Sequence, residues 1–129
     1  MKTLNCLILL LGMAGLGNAL AYTEHEVLLM TNQSVLAKIV LEDKNPQIRQ
    51  AAAANLTDQS VLTKIIFQDI NLPVRLVAMQ NLADQAALAK IVREITDWQV
   101  RSPALAKLTD QSVLFKLALD HADPSLRFQ

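Results

Sequence analysis

One basic position recurs along this chain at a constant step of 26 residues: Arg49, Arg75, Arg101 and Arg127. Each falls in the first turn of an expected helix, where the helix dipole disfavours a cation. A guanidinium kept at such a place calls for a carboxylate, and arginine can present two parallel N–H donors to one. Asp43 and Asp69 stand six residues before the first two arginines, so the spacing predicts a structural ladder of Arg–Asp contacts running along the stack. In the third unit Ile95 holds the aspartate's place, which leaves Asp97 or a neighbouring unit to serve Arg101. A row of solvated or ligand-binding arginines is the alternative.

The remaining reactive residue types are sparse. The two histidines, His25 and His121, lie far apart in the chain. His121 has Asp120 and Asp123 beside it, and a metal site can be drawn there. Asp123, however, occupies a position that recurs as a helix cap, so its presence already has a reason. No Gly-rich phosphate loop, nucleophile elbow or paired-histidine zinc spacing is present. The single cysteine, Cys6, lies in the N-terminal segment. The expectation is no enzyme, no metal and no cofactor. Asn32-Gln33-Ser34 and Asn55-Leu56-Thr57 match the glycosylation acceptor pattern, but both fall on positions the repeat itself requires.

The elements that must hold these residues are set by an internal repeat. "NQSVL" begins at Asn32, "DQSVL" at Asp58, "DQAAL" at Asp84 and "DQSVL" at Asp110, again a step of 26 without insertion. A fixed period of this size marks units that bury their apolar faces only against their neighbours. Each unit reads as two helices. The first starts at a cap, Asp58, Asp84 or Asp110, whose carboxylate can take the free N–H groups of the first turn. Val61, Leu62, Ile65 and Ile66 then form one apolar stripe. The second helix starts at Asn45, Asn71, Asp97 or Asp123, with Pro46 and Pro124 at the position where a missing N–H costs least. Its stripe runs Ile48, Ala52, Ala53 and Leu56, and in the third unit Val100, Ala104, Leu105 and Leu108. Pro103 is expected to shift or shorten the first turn of its helix. The fold expected is all-α: a right-handed α-solenoid of roughly four 26-residue helical hairpins, with seams near 32, 58, 84 and 110.

"DKNPQIRQAAAANL" and "INLPVRLVAMQNL" resemble the second half of a HEAT-type repeat. Both have a turn, a proline, an apolar–Arg pair and a helix ending in Leu. The resemblance covers residues 22–129. These units are shorter than the usual HEAT length of about 40 residues. They are also similar to the leucine-rich repeat variant, in which one helix per unit is of the tight 3₁₀ type. Either resemblance implies a right-handed helical superhelix that serves as a protein-binding scaffold, and neither implies chemistry.

Composition agrees with helices: 52% of residues are apolar and only 4% aromatic, with three glycines. Twelve basic and twelve acidic side chains give zero net charge, so long-range attraction to nucleic acid or an anionic membrane is not expected. Residues 1–21 read as a secretory signal peptide: Lys2, an apolar run over Leu7–Leu11, then Ala19-Leu20-Ala21 before polar residues. An uncleaved anchor is the alternative. With cleavage, the 22–129 domain is exported, periplasmic or secreted, and has no membrane contact.

The function expected is a non-enzymatic scaffold or adaptor for an unidentified protein partner. Alternatives are a small-ligand or metal carrier and an inhibitor-like accessory protein for one envelope partner. Positions that vary between units face solvent and carry recognition. Gln50, Leu76, Val77, Gln80, Trp98 and Gln99 are the candidates. Trp98, the only tryptophan, either anchors a partner or plugs the turn between helices. Tyr22–Thr31 aligns with the end of a second helix and reads as an N-terminal cap. At the other end Phe115 and Phe128 either fold back as a lid or pair two copies end to end.

Overall fold

The computed structural model describes residues 22–120, and among them the secondary structure is helical with no strand. The short α1 (Glu24–Leu28) is followed by α2 (Gln33–Glu42), α3 (Pro46–Asn55), α4 (Gln59–Gln68) and α5 (Leu72–Asn81). Then come α6 (Gln85–Glu94), α7 (Trp98–Lys107) and α8 (Gln111–Asp120). The segment 1–21, read above as a signal peptide, lies outside the described residues, as do His121, Asp123, Pro124, Arg127 and Phe128.

Helices α2, α4, α6 and α8 begin at 33, 59, 85 and 111, and α3, α5 and α7 begin at 46, 72 and 98. Both series step by 26, and each of these helices is ten residues long. Caps explain why the starts are so regular. Asn45 accepts the N–H of Gln47, Asn71 that of Val74, Asp84 that of Ala86 and Asp97 that of Gln99. Asp58 accepts from Ser60 and Val61, and Asp110 from Ser112 and Val113. Each bond satisfies a helix N–H that has no partner within its own helix. The Ser60 hydroxyl, followed by the Val61 N–H, holds the Asp58 carboxyl below its usual range. Helix α1 starts on a capping box in which Thr23 and Glu26 exchange hydrogen bonds.

Two sequence expectations fail here. Pro103 neither shifts nor shortens α7, which starts at Trp98 in register with Pro46 and Leu72. A proline at the sixth position removes one helical donor but leaves the cap and first turn intact. Leu105 does not join the buried stripe: it is 40% exposed, while its counterparts Ala53 and Met79 are buried. Both helices of each pair are α-helical, and the tight 3₁₀ helix of the second resemblance does not occur among the described residues.

Packing follows the pairing. α2 packs on α3, α4 on α5 and α6 on α7, and the second helices α3, α5 and α7 pack on one another in succession. Ala52, Ala78 and Ala104 are fully buried at equivalent places, where a small side chain lets two helices approach closely. Leu36, Leu62 and Leu88 fill the first helices, and Leu56, Leu82 and Leu108 close each pair onto the next. Emptying one such leucine site typically costs about 2–5 kcal/mol. α1 packs on α3 and brings Val27 and Met30 into the same core.

Candidate functional site

The pairs expose two edges with different chemistry. One is formed by the turns inside the pairs, residues 43–45, 69–71 and 95–97. Arg49, in the first turn of α3, does not bond the Asp43 carboxylate. It reaches the next turn, where Nε donates to Asp69 Oδ2 at 2.8 Å and Nη2 to Asp69 Oδ1 at 3.1 Å. Its Nη1 donates to the backbone carbonyls of Asp43 and Lys44. The fork on Asp69 comes first among the causes that raise the Arg49 pKa, with burial opposing it.

Arg75 repeats the reach more loosely. Its Nε donates to the Ile66 carbonyl at 2.8 Å, and Nη1 stands 3.6 Å from Asp97 Oδ2. Ile95 replaces the aspartate that would give Arg75 the same fork, so Asp97, two residues on, supplies the charge instead. Arg101 is served by neither: among the described residues its Nε is buried without a hydrogen-bond partner. The arginines therefore tie three successive turns together from one pair to the next. The Arg–Asp contacts run from pair to pair, as a ladder would, with Arg49 and Arg75 reaching the next turn and not the aspartate six residues before them.

The other edge lies where pairs meet, and sequence reasoning missed its main residues. Gln33 Nε2 donates to the Asn55 carbonyl while its Oε1 accepts the Thr57 N–H at 2.8 Å. Gln59 does the same with Asn81 and Ala83, and Gln85 with Lys107 and Thr109. A second set runs from each second helix to the C-terminal carbonyls of the helix two before it, α3 to α1, α5 to α3 and α7 to α5. Asn55 Nδ2 donates to Val27, Leu28 and Met30, and Asn81 Nδ2 to Ala53, Ala54 and Leu56. Lys107 Nζ donates to Met79, Gln80 and Leu82. A helix leaves its last carbonyls unpaired, and each donor serves three acceptors at such an end. Lys107 adds a cation at the negative end of a dipole, although burial lowers its pKa. The signal was available: the glutamine recurs in all four copies of the quoted string. In Asn55 the nitrogen that a glycan would take, Nδ2, is the donor of these bonds.

The six residues expected to bind a partner differ in exposure. Leu76 and Val77 are half-buried and pack against the core, so they do not stand free in solvent. Gln50 is half-buried and Gln80 exposed, both away from the turns. Trp98 and Gln99 are exposed at the third turn, and Trp98, at 65% exposure, does not plug that turn. A residue the sequence reading passed over joins them: Ile70, in the second turn, is 96% exposed. Ile70 follows Asp69 and Trp98 follows Asp97, so both apolar side chains adjoin carboxylates that face an arginine.

Leu105, Phe115 and Leu119 are exposed at the C-terminal end of the described residues. Among the described residues no three His, Cys, Asp or Glu side chains converge, and no helix is long and apolar enough to cross a membrane. No family model, curated protein or solved structure matches the chain.

Proposed function

We propose that this chain is an exported, HEAT-like α-solenoid of 26-residue hairpins that binds a protein partner along its turn edge and carries out no reaction. The observation that carries the reading is the exposure of Ile70 and Trp98 on that edge. Tryptophan is enriched among interface hot spots, and apolar side chains grouped in solvent mark interaction sites. Here the Arg49–Asp69 fork and the Arg75–Asp97 pair brace the turns that present them. The constant step of the helix starts, with the second helices packed in succession, supports the solenoid. The signal-like segment 1–21 supports export.

Affinity capture from the envelope fraction of the exporting cell tests the reading. Trp98→Ser and Ile70→Ser, made singly, are expected to lower recovery of the partner on the order of ten-fold or more. Lys38→Ser, on the exposed face of α2, is expected to leave recovery unchanged. Equal recovery by all three, with unchanged helix content, rejects the turn edge.

A further inference from the structure

Because Arg49 turns to Asp69, the Asp43 carboxylate has a single hydrogen bond among the described residues, from the Asn45 N–H at 2.8 Å. Asp43 stands at the rim of an open cavity of about 300 Å³ between the first two turns. Buried Val40 and Ile65 form its floor, and the exposed Leu41 and Ile70 form its walls. Gln68 and the Arg49–Asp69 pair complete the rim. The lining holds two aspartates and one arginine, a net charge of one negative; Arg49 forks Asp69, and its charge acts on Asp43 only at longer range, without a hydrogen bond to that carboxylate. Glu42 and Lys44, which flank Asp43 in the chain, are exposed, carry opposite charges and do not line the cavity.

We infer that this cavity receives a lysine or arginine side chain of the protein partner, its stem along Leu41 and Ile70 and its cationic head at Asp43 and the Gln68 amide oxygen. Long cationic side chains bury a hydrocarbon stem while their charge meets an acceptor, and aliphatic walls with an anionic rim match that division. A purely apolar occupant would desolvate Asp43 without replacing its lost water contacts. An anionic occupant would meet the net negative charge of the lining, and most of the Arg49 N–H donors are already bonded to Asp69 and to the carbonyls of Asp43 and Lys44. This inference rests on the protein-binding reading above and gives the partner a basic residue.

The test uses the ¹⁵N-labelled full chain and two capped amino acids, Nα-acetyl-lysine-N-methylamide and its norleucine counterpart. At about millimolar concentration, suited to a single side chain, the lysine probe is expected to shift the amide signals of Leu41, Gln68 and Ile70. Norleucine, equal in stem but uncharged, is expected to give shifts several-fold smaller. Asp43→Asn keeps an acceptor for the Asn45 N–H and is expected to abolish the difference between the probes. Ile70→Ser, which keeps the charge and removes a wall, is expected to weaken the lysine response. Equal shifts from both probes, no response to lysine, or a lysine response that persists in Asp43→Asn overturns the inference. Capture of the partner by wild type and its loss in Trp98→Ser stand or fall separately, so the wider reading can survive that result.

Discussion

Asp43 and Asp69 hold equivalent turn positions, and each accepts the backbone N–H of the asparagine two residues on at 2.8 Å. Only Asp69 also carries a guanidinium. The difference between them therefore isolates the Arg49 fork from the turn itself. Asp69→Asn is expected to destabilise the fold by about 1–3 kcal/mol, the range for a hydrogen-bonded charge on a mostly buried pair. Asp43→Asn is expected to cost less than about 0.5 kcal/mol. Urea unfolding of the two variants measures both, and the reverse order would restore the partner suggested by the six-residue spacing. The spacing did not say which aspartate each arginine meets, for a physical reason. An arginine side chain is long enough to reach either its own turn or the next, and linear separation does not say which turn packs nearer. The cap residues are more legible, because a short acceptor can only serve N–H groups two or three positions ahead.

At the scale of elements, the hairpin was legible from the two apolar stripes and the recurring caps. The bonds that join one pair to the next were not. Their acceptors are backbone carbonyls, which have no residue type to read, and the donors Asn55, Asn81 and Lys107 differ in chemistry. Function at these joints is nonetheless the same: one donor closes three carbonyls at a helix end. Asn81→Ala is expected to cost about 1–2 kcal/mol, since the carbonyls of Ala53, Ala54 and Leu56 lose a shared partner. Lys107→Asn restores the amide of the earlier joints and is expected to stay within about 0.5 kcal/mol of wild type at neutral pH. Burial lowers the Lys107 pKa in the fold, so the native state releases that proton before the unfolded chain does. Wild-type stability therefore rises as pH increases through the native pKa toward 10.5, and Lys107→Asn removes that contribution. Thermal or urea melts of these variants from neutral to alkaline pH check the costs and the sign. An Asn81→Ala variant as stable as wild type would show that the joint carries no load.

For the whole molecule, the all-helical class and the 26-residue step were readable because every unit repeats the same packing demand. The proposed recognition surface was harder to read. A variable apolar residue signals exposure only if the core leaves it out, and Leu76 and Val77 are partly taken in while Ile70 and Trp98 are not. Ile70 sits in a turn, where no helical periodicity marks an apolar residue as surplus. Arginines reaching from pair to pair then make a row of separate turns into one braced edge, and the account rests on a partner meeting that edge. Site-directed photocrosslinking in the cell that makes the chain tests this most directly. A photoreactive phenylalanine analogue at position 98 or 70 is expected to give one and the same discrete adduct. The analogue at position 38 or 60, on the exposed faces of α2 and α4, is expected to give none. Adducts at 38 or 60 with none at 98 and 70 would contradict the account.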